Sequence, residues 1–266
     1  MKYNDIDMKK WKESDINTDS LWVIKERDKS GNHKNIYHGN FIPQIPNQLI
    51  RRYTKENDIV FEPFMGSGTT NIECQSLNRK YIGFDINEEI IEYVSNITNE
   101  NILIDKQNYH IYNNDSTNKK TSEINIKKSL NEFKKDFFQF MLLHPPYHNI
   151  VKFTDKKNDL SNQDSLDTFK KMFLKVLKNT FNYLEKDRYF GLVVGDIYLN
   201  SEVVPLSFIL MNLIQSNFNV KLKGTIVKNI EGNRGKIGSG GIWRYRALNS
   251  DYFIFKHEYI FIFKKV

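Results

Sequence analysis

The chain has 266 residues, 39% hydrophobic and 14% aromatic, with a formal net charge of +7. That is apolar material for one embellished α/β domain, and the basic balance favours a polyanionic partner. A single cysteine, Cys74, excludes a disulfide framework and a cysteine-based zinc site. There is no run of roughly 18–20 apolar residues to span a bilayer and no secretory signal. The expectation is therefore a soluble, cytoplasmic protein with no membrane partner and no metal.

In chain order, residues 58–62 read as a buried strand that runs into the turn Met65-Gly-Ser-Gly-Thr69, with a helix following to residue 78. Residues 81–85 form a second short strand, 88–94 a helix and 110–112 a third strand. The polar stretch 106–128 reads as the place of an insertion. Residues 137–143 are a strongly apolar strand ending in His144-Pro-Pro-Tyr147, and the polar segment 152–164 reads as a mobile loop. Leu166, Phe169, Phe173, Val176, Leu177 and Leu184 fall at helical spacing and predict a helix over 165–185. A strand at 189–194 follows, then a helix from Pro205 to about residue 215. Two longer strands, 218–227 and 252–263, are rich in β-branched and aromatic residues. The connection between them holds five glycines with Arg234, Lys236, Trp243, Arg244, Tyr245 and Arg246, and a long connection of this kind is usually functional or disordered. The alternation of strands and helices predicts an α/β fold.

Three motifs carry chemistry. The first, Phe61-Glu-Pro-Phe-Met-Gly-Ser-Gly-Thr-Thr70, places glycines between a strand and a helix, where the backbone can approach a ligand closely. It is not a Walker loop, since no lysine follows Gly68, and position 71 is Asn rather than the third glycine of a dinucleotide fingerprint. Two glycines alone fit a plain strand–helix turn as well. The second is Asp85, which ends the next strand, where a carboxylate accepts both hydroxyls of a ribose; a helix N-cap is the plainer alternative. The third is the double proline, which fixes an extended backbone and removes two N–H donors, leaving rigid carbonyl acceptors beside a flat tyrosine. Acceptors aimed at an exocyclic base amine localise its lone pair and hold it in line with a methyl donor.

With those residues the chain resembles the DNA amino-methyltransferases, which modify adenine N6 or cytosine N4. Glu62, Pro63, Phe64, Gly66, Ser67, Gly68, Thr69 and Thr70 match that family's glycine motif, except that Glu62 stands where Asp is usual. His144, Pro145, Pro146 and Tyr147 match its catalytic base-binding motif, with His144 in place of Asp, Asn or Ser. The resemblance extends to His38, Phe41 and Pro43, followed by Leu49, which it implies help bind the methionine part of the cofactor. It extends also to Asp115-Ser116, which it implies meet the adenine ring, and to a last strand over 257–264. It implies a Rossmann-like methyltransferase fold with a mostly parallel sheet of about seven strands and a C-terminal antiparallel hairpin. The catalytic domain would span 37–266, with residues 1–36 as an N-terminal extension and a DNA-contacting loop at about 230–251.

The resemblance also implies S-adenosylmethionine as cofactor, double-stranded DNA as substrate and, by family habit, a restriction–modification role with a cognate restriction endonuclease. Motif order favours adenine N6 over cytosine N4. An RNA or protein methyltransferase and an inactive nucleic-acid-binding relative are the competing readings. Chemical grounds count against C5-cytosine methylation, because it needs a thiolate nucleophile and Cys74 falls inside the helix after the glycine turn, where a small packed side chain is the better reading. A neutral histidine accepts one hydrogen bond and a protonated one accepts none. His144 therefore predicts activity that falls as pH drops through about 6.5. The segment 152–164 follows the double proline and is expected to act as a lid.

Overall fold

The computed structural model describes residues 2–34, 39–230 and 240–266. Its strands are β1 (Leu21–Trp22), β2 (Ile59–Glu62), β3 (Lys80–Asp85), β4 (Tyr109–Asn113), β5 (Phe138–Leu143), β6 (Leu184–Val194), β7 (Ile197–Leu199), β8 (Glu202–Val204), β9 (Val220–Asn229) and β10 (His257–Lys265). Its α-helices are α1 (Gln44–Tyr53), α2 (Thr69–Ser76), α3 (Glu88–Glu100), α4 (Lys119–Glu132), α5 (Leu166–Thr180), α6 (Leu206–Asn217) and α7 (Gly240–Leu248).

One eight-stranded sheet runs in the order β1-β9-β10-β6-β5-β2-β3-β4, and β7 pairs with β8 separately. Strands β4, β3, β2, β5 and β6 are parallel, and β10 is antiparallel to both β6 and β9. The expected α/β fold with a mostly parallel sheet and an antiparallel C-terminal hairpin is what the chain adopts. The period-two geometry of a strand splits its side chains between two cores. Ile59, Phe61, Ile82, Phe84, Met141 and Leu143 pack on the side of α4, α5 and α6. Val60, Tyr81, Phe140 and Leu142 pack on the side of α1, α2 and α3. Strands buried on both faces read as nearly continuous apolar runs, which is why β2 and β5 stand out in the sequence.

From β2 the chain builds outward through β3 to β4, then returns to lay β5 on the other side of β2. The sheet order therefore reverses between β2 and β5, and the crevice at the carboxyl ends of strands at such a reversal is where open α/β sheets hold ligands. Both candidate motifs emerge there.

Several elements differ from expectation. Helix α5 stops at Thr180, five residues early, because Leu184 pairs with Phe138 as the first residue of β6; its helical spacing was coincidental. The polar stretch 106–128 is no insertion: it holds β4 and the start of α4, which buries only Ser122, Ile126, Ser129 and Leu130. So few apolar residues leave little periodic signal. The connection expected as a loop over 230–250 contains α7, which carries Trp243, Arg244, Tyr245 and Arg246 in a run without helix breakers. The hairpin β7–β8 and the two-residue β1, which pairs parallel with β9, have no clear sequence signature.

The segment 152–164 is tied down rather than loose. Asp159 and Ser161 are buried, Asp159 Oδ1 accepts from Ser161 N at 2.8 Å, and Asn162 Nδ2 donates to the Thr154 carbonyl at 2.8 Å.

Candidate active site

The glycine motif forms a turn whose backbone only glycine adopts without strain. Gly66 and Gly68 have φ of 52° and 76°, in the left-handed region. A Cβ on Gly68 would lie 2.8 Å from Val94 Cγ1, so α3 packs directly on the turn. Glu62 lies beneath it, 1% exposed. Thr70 Oγ1 donates to Glu62 Oε1 at 2.9 Å and Tyr81 OH donates to Oε2 at 2.6 Å. Burial, opposed by these hydrogen bonds, pushes the Glu62 carboxyl up to about 8, so it is largely neutral at pH 7. Its side chain pins β2 to α2 and β3.

Asp85 ends β3 beside the turn. Gly66 N donates to its Oδ2 at 2.8 Å and Asn87 N to its Oδ1 at 2.9 Å. Each oxygen keeps a second lone pair for an incoming hydroxyl. The cap of α3 is Asn87, whose side chain accepts from Glu89 N and Ile90 N, so Asp85 is not needed as that cap. Burial pushes its carboxyl up to about 6, against the N–H groups of Asn87 and Gly66.

Ser116 Oγ donates to the Pro63 carbonyl at 2.8 Å, which fixes Asp115-Ser116 against the glycine motif. Asp115 Oδ1 accepts from Thr117 N at 2.8 Å. A cavity of about 360 Å³ opens there, lined by Ile86, Asn113, Asp115 and residues 156–158. The segment 152–164 lies across it: Lys156 Nζ donates to the Ile86 carbonyl at 2.9 Å and to Glu88 Oε1 at 2.7 Å, and Asn158 Nδ2 to Asp115 Oδ2 at 3.1 Å. Asn40, just before Phe41, donates to Ser67 Oγ. Phe64 stacks 6.5 Å from Phe173, and Pro43 caps the start of α1. His38, Arg234 and Lys236 lie outside the described residues.

The double-proline loop leaves the end of β5. The His144 ring lies 4.8 Å from Phe41 and 5.7 Å from Tyr147, centroid to centroid. The Tyr147 ring rests on Gly195, where a Cβ would come within 3.0 Å of its Cε2; any larger residue at the end of β6 would displace it. Burial moves the His144 ring down to about 4. This corrects the expected loss of activity near pH 6.5, since the ring stays neutral down to about pH 5. Burial also pushes the Cys74 thiol well above its ordinary value, which agrees with an inert packed side chain rather than a nucleophile.

Motif reading missed Tyr81, Asn40, Lys228 and Glu258. Tyr147 OH donates to Glu258 Oε2 at 3.2 Å, and Lys228 Nζ donates to Glu258 Oε1 at 2.9 Å. Glu258, the one acidic residue of β10, was a signal that could have found the last of these; Lys228, one of three lysines on β9, was not distinguished.

On α7, Arg244, Tyr245 and Arg246 are exposed, and the Arg246 guanidinium sits 5.4 Å from the centre of the Trp243 ring. Strand β9 is parallel to β6 through their shared partner β10. The β9–β10 connection therefore leaves from the same end of the sheet as the two motifs. Tyr252, after α7, lies 5.3 Å ring to ring from Tyr198 on β7, which follows directly from the end of β6.

The fold is an open, Rossmann-like α/β sheet that carries both motifs at its switch point. Among solved structures, TrmN from Thermus thermophilus superposes with a TM-score of 0.53 at 13% identity, covering 85% of this chain and 49% of that one; the likeness is one of fold. Residues 1–96 match the family described as DNA methylase. The type II methyltransferase M.MjaII of Methanocaldococcus jannaschii is 42% identical over 62 residues, 23% of this chain and 12% of the relative. M.HpaI of Haemophilus parainfluenzae is 53% identical over 45 residues, 17% of this chain and 14% of the relative. The resemblance of this chain to the amino-DNA methyltransferase family thus rests on a family match as well as on its motifs, although the chain spans only a small part of these relatives' length.

Proposed function

We propose that this chain is an S-adenosylmethionine-dependent DNA methyltransferase that methylates an exocyclic base amine in duplex DNA, adenine N6 in preference to cytosine N4. The observation that carries the reading is the convergence of the glycine turn and the His144-Pro-Pro-Tyr147 loop where the sheet order reverses between β2 and β5. Motif order favours adenine.

The residues fit the cofactor. Asp85 offers ribose acceptors, the cavity beside Asp115 takes a flat ring, and the glycine turn admits close backbone approach. Segment 152–164 covers that cavity in the manner of a lid. When bound, the cofactor supplies an electrophilic methyl group on sulfonium sulfur. The chain's own residues do the rest. The target base flips out of the duplex, at a cost of a few kcal/mol, and Tyr147 offers it a stacking face. Neutral His144 and the carbonyls of the proline turn accept the amine hydrogens, which restores nucleophilicity to its lone pair. Helix α7 supplies cations and aromatics for phosphate and stacking contact.

The test is transfer of label from radioactive S-adenosylmethionine to mixed-sequence duplex DNA, with RNA in parallel, followed by nucleoside digestion. Labelled N6-methyladenine is expected. Labelled N4-methylcytosine would keep the reaction and overturn the base. Label in RNA alone, or in neither nucleic acid, would overturn the substrate.

A further inference from the structure

Two charged side chains are buried in the antiparallel hairpin. Lys228 on β9 and Glu258 on β10 are 5% and 7% exposed and face each other in register. Lys228 Nζ donates to Glu258 Oε1 at 2.9 Å. A buried pair of this kind adds little net stability, because desolvation offsets the attraction, so packing alone does not account for it. The other carboxylate oxygen reaches the double-proline loop: Tyr147 OH donates to Glu258 Oε2 at 3.2 Å, and the same hydroxyl lies 3.3 Å from His144 Nε2. Among the described residues, His144 Nδ1 makes no hydrogen bond.

Donor and acceptor rules fix the direction of this chain. A carboxylate paired with an ammonium group only accepts, so the Tyr147 proton points to Glu258. The hydroxyl has no second proton, so its oxygen accepts from His144. Nε2 therefore carries the ring hydrogen and Nδ1 is bare. We propose that Glu258, anchored by Lys228, is a positioning residue that holds His144 as its Nε2–H tautomer and leaves Nδ1 as the acceptor for a hydrogen of the target amine. The role of Nδ1 as acceptor rests on the methyl-transfer reading above; the tautomer does not. Both hydrogen bonds to the Tyr147 hydroxyl are long for their type, and their contribution is direction rather than strength. The opposite tautomer would present an N–H to the amine and take no hydrogen from it.

The experiment uses the full chain with nitrogen-15-labelled histidine. His144 is identified by the signal lost in His144→Asn, and its two ring-nitrogen shifts separate a protonated from a bare nitrogen. Wild type near pH 7.5 is expected to show protonated Nε2 and bare Nδ1. Glu258→Gln and Tyr147→Phe should each mix the tautomers and lower kcat about tenfold, the size of one lost hydrogen bond in the reacting state, with cofactor Kd unchanged. Because Glu258→Gln strands a buried ammonium, Lys228→Met with Glu258→Gln serves as the folded control and should show the same shift. A wild-type Nδ1–H tautomer, or an unchanged tautomer in the folded variants, would overturn the proposal. The expected shifts in a protein that methylates no nucleic acid would uphold the relay and sink the reading of the reaction instead.

Discussion

Replacing Glu62 by Gln should remove most of the pH dependence of stability that this buried carboxyl imposes. Its carboxyl sits at about 8 in the fold against an ordinary 4.5, so the folded chain holds the proton more tightly than the unfolded one. The contribution is complete below pH 4.5 and declines as pH rises, at ~1.4 kcal/mol per unit, levelling off above about pH 8. Between pH 5 and pH 8 the loss is roughly 3 kcal/mol. Glutamine keeps the volume, accepts through its oxygen and donates through its amide to the second of the two hydroxyls, Thr70 and Tyr81, so it fills the site without titrating. Urea unfolding of both proteins at several pH values measures the effect. The wild type should lose roughly 3 kcal/mol relative to Glu62→Gln across that window. Asp85, also raised, from 3.8 to about 6, lowers stability with rising pH in both proteins and cancels in the difference. Parallel profiles would refute the reasoning, because Glu62 would then ionise as readily in the fold as in the unfolded chain.

Gly68→Ala meets both a φ of 76° and a Cβ 2.8 Å from Val94 Cγ1, so it should cost about 1–3 kcal/mol in denaturant unfolding and weaken cofactor binding. Adding Val94→Ala should relieve the clash but not the backbone strain, and full recovery of binding would show that the φ does not matter. Asp85→Asn should raise cofactor Kd at least about tenfold, the size of one charge-assisted hydrogen bond, in a titration at pH 8. Wild-type affinity should weaken as pH falls through about 6, where the carboxylate takes up its proton, and the Asn variant should show no such bend. Arg246→Ala on α7 should weaken DNA binding about equally across sequences and reduce the slope of log affinity against log salt by about 0.9. An unchanged slope would place α7 away from the phosphates.

The sequence by itself determined the local features. Strands β2, β3 and β5 are short apolar runs bounded by turn residues, and their turns are written in glycine and proline, whose backbone limits hold in any context. The glycine turn, Asp85 and the double proline were legible for that reason. Helix α4 was not, because its buried face is half serine, and neither was α7, whose many glycines upstream suggested a loop.

Only the tertiary structure decided the rest, because the deciding partners lie far apart in the chain. Phe138 and Leu184 fixed where α5 ends. Tyr81 and Thr70 turned Glu62 inward, and burial kept it protonated against their hydrogen bonds. Burial lowered His144 to about 4 and removed the pH response its ordinary value predicts. The ion pair Lys228–Glu258, 111 residues beyond Tyr147 when counted to Glu258, reached back to orient the loop. A pattern of residue types sets backbone conformation; desolvation and the direction of a hydrogen bond depend on which distant side chains fold into contact.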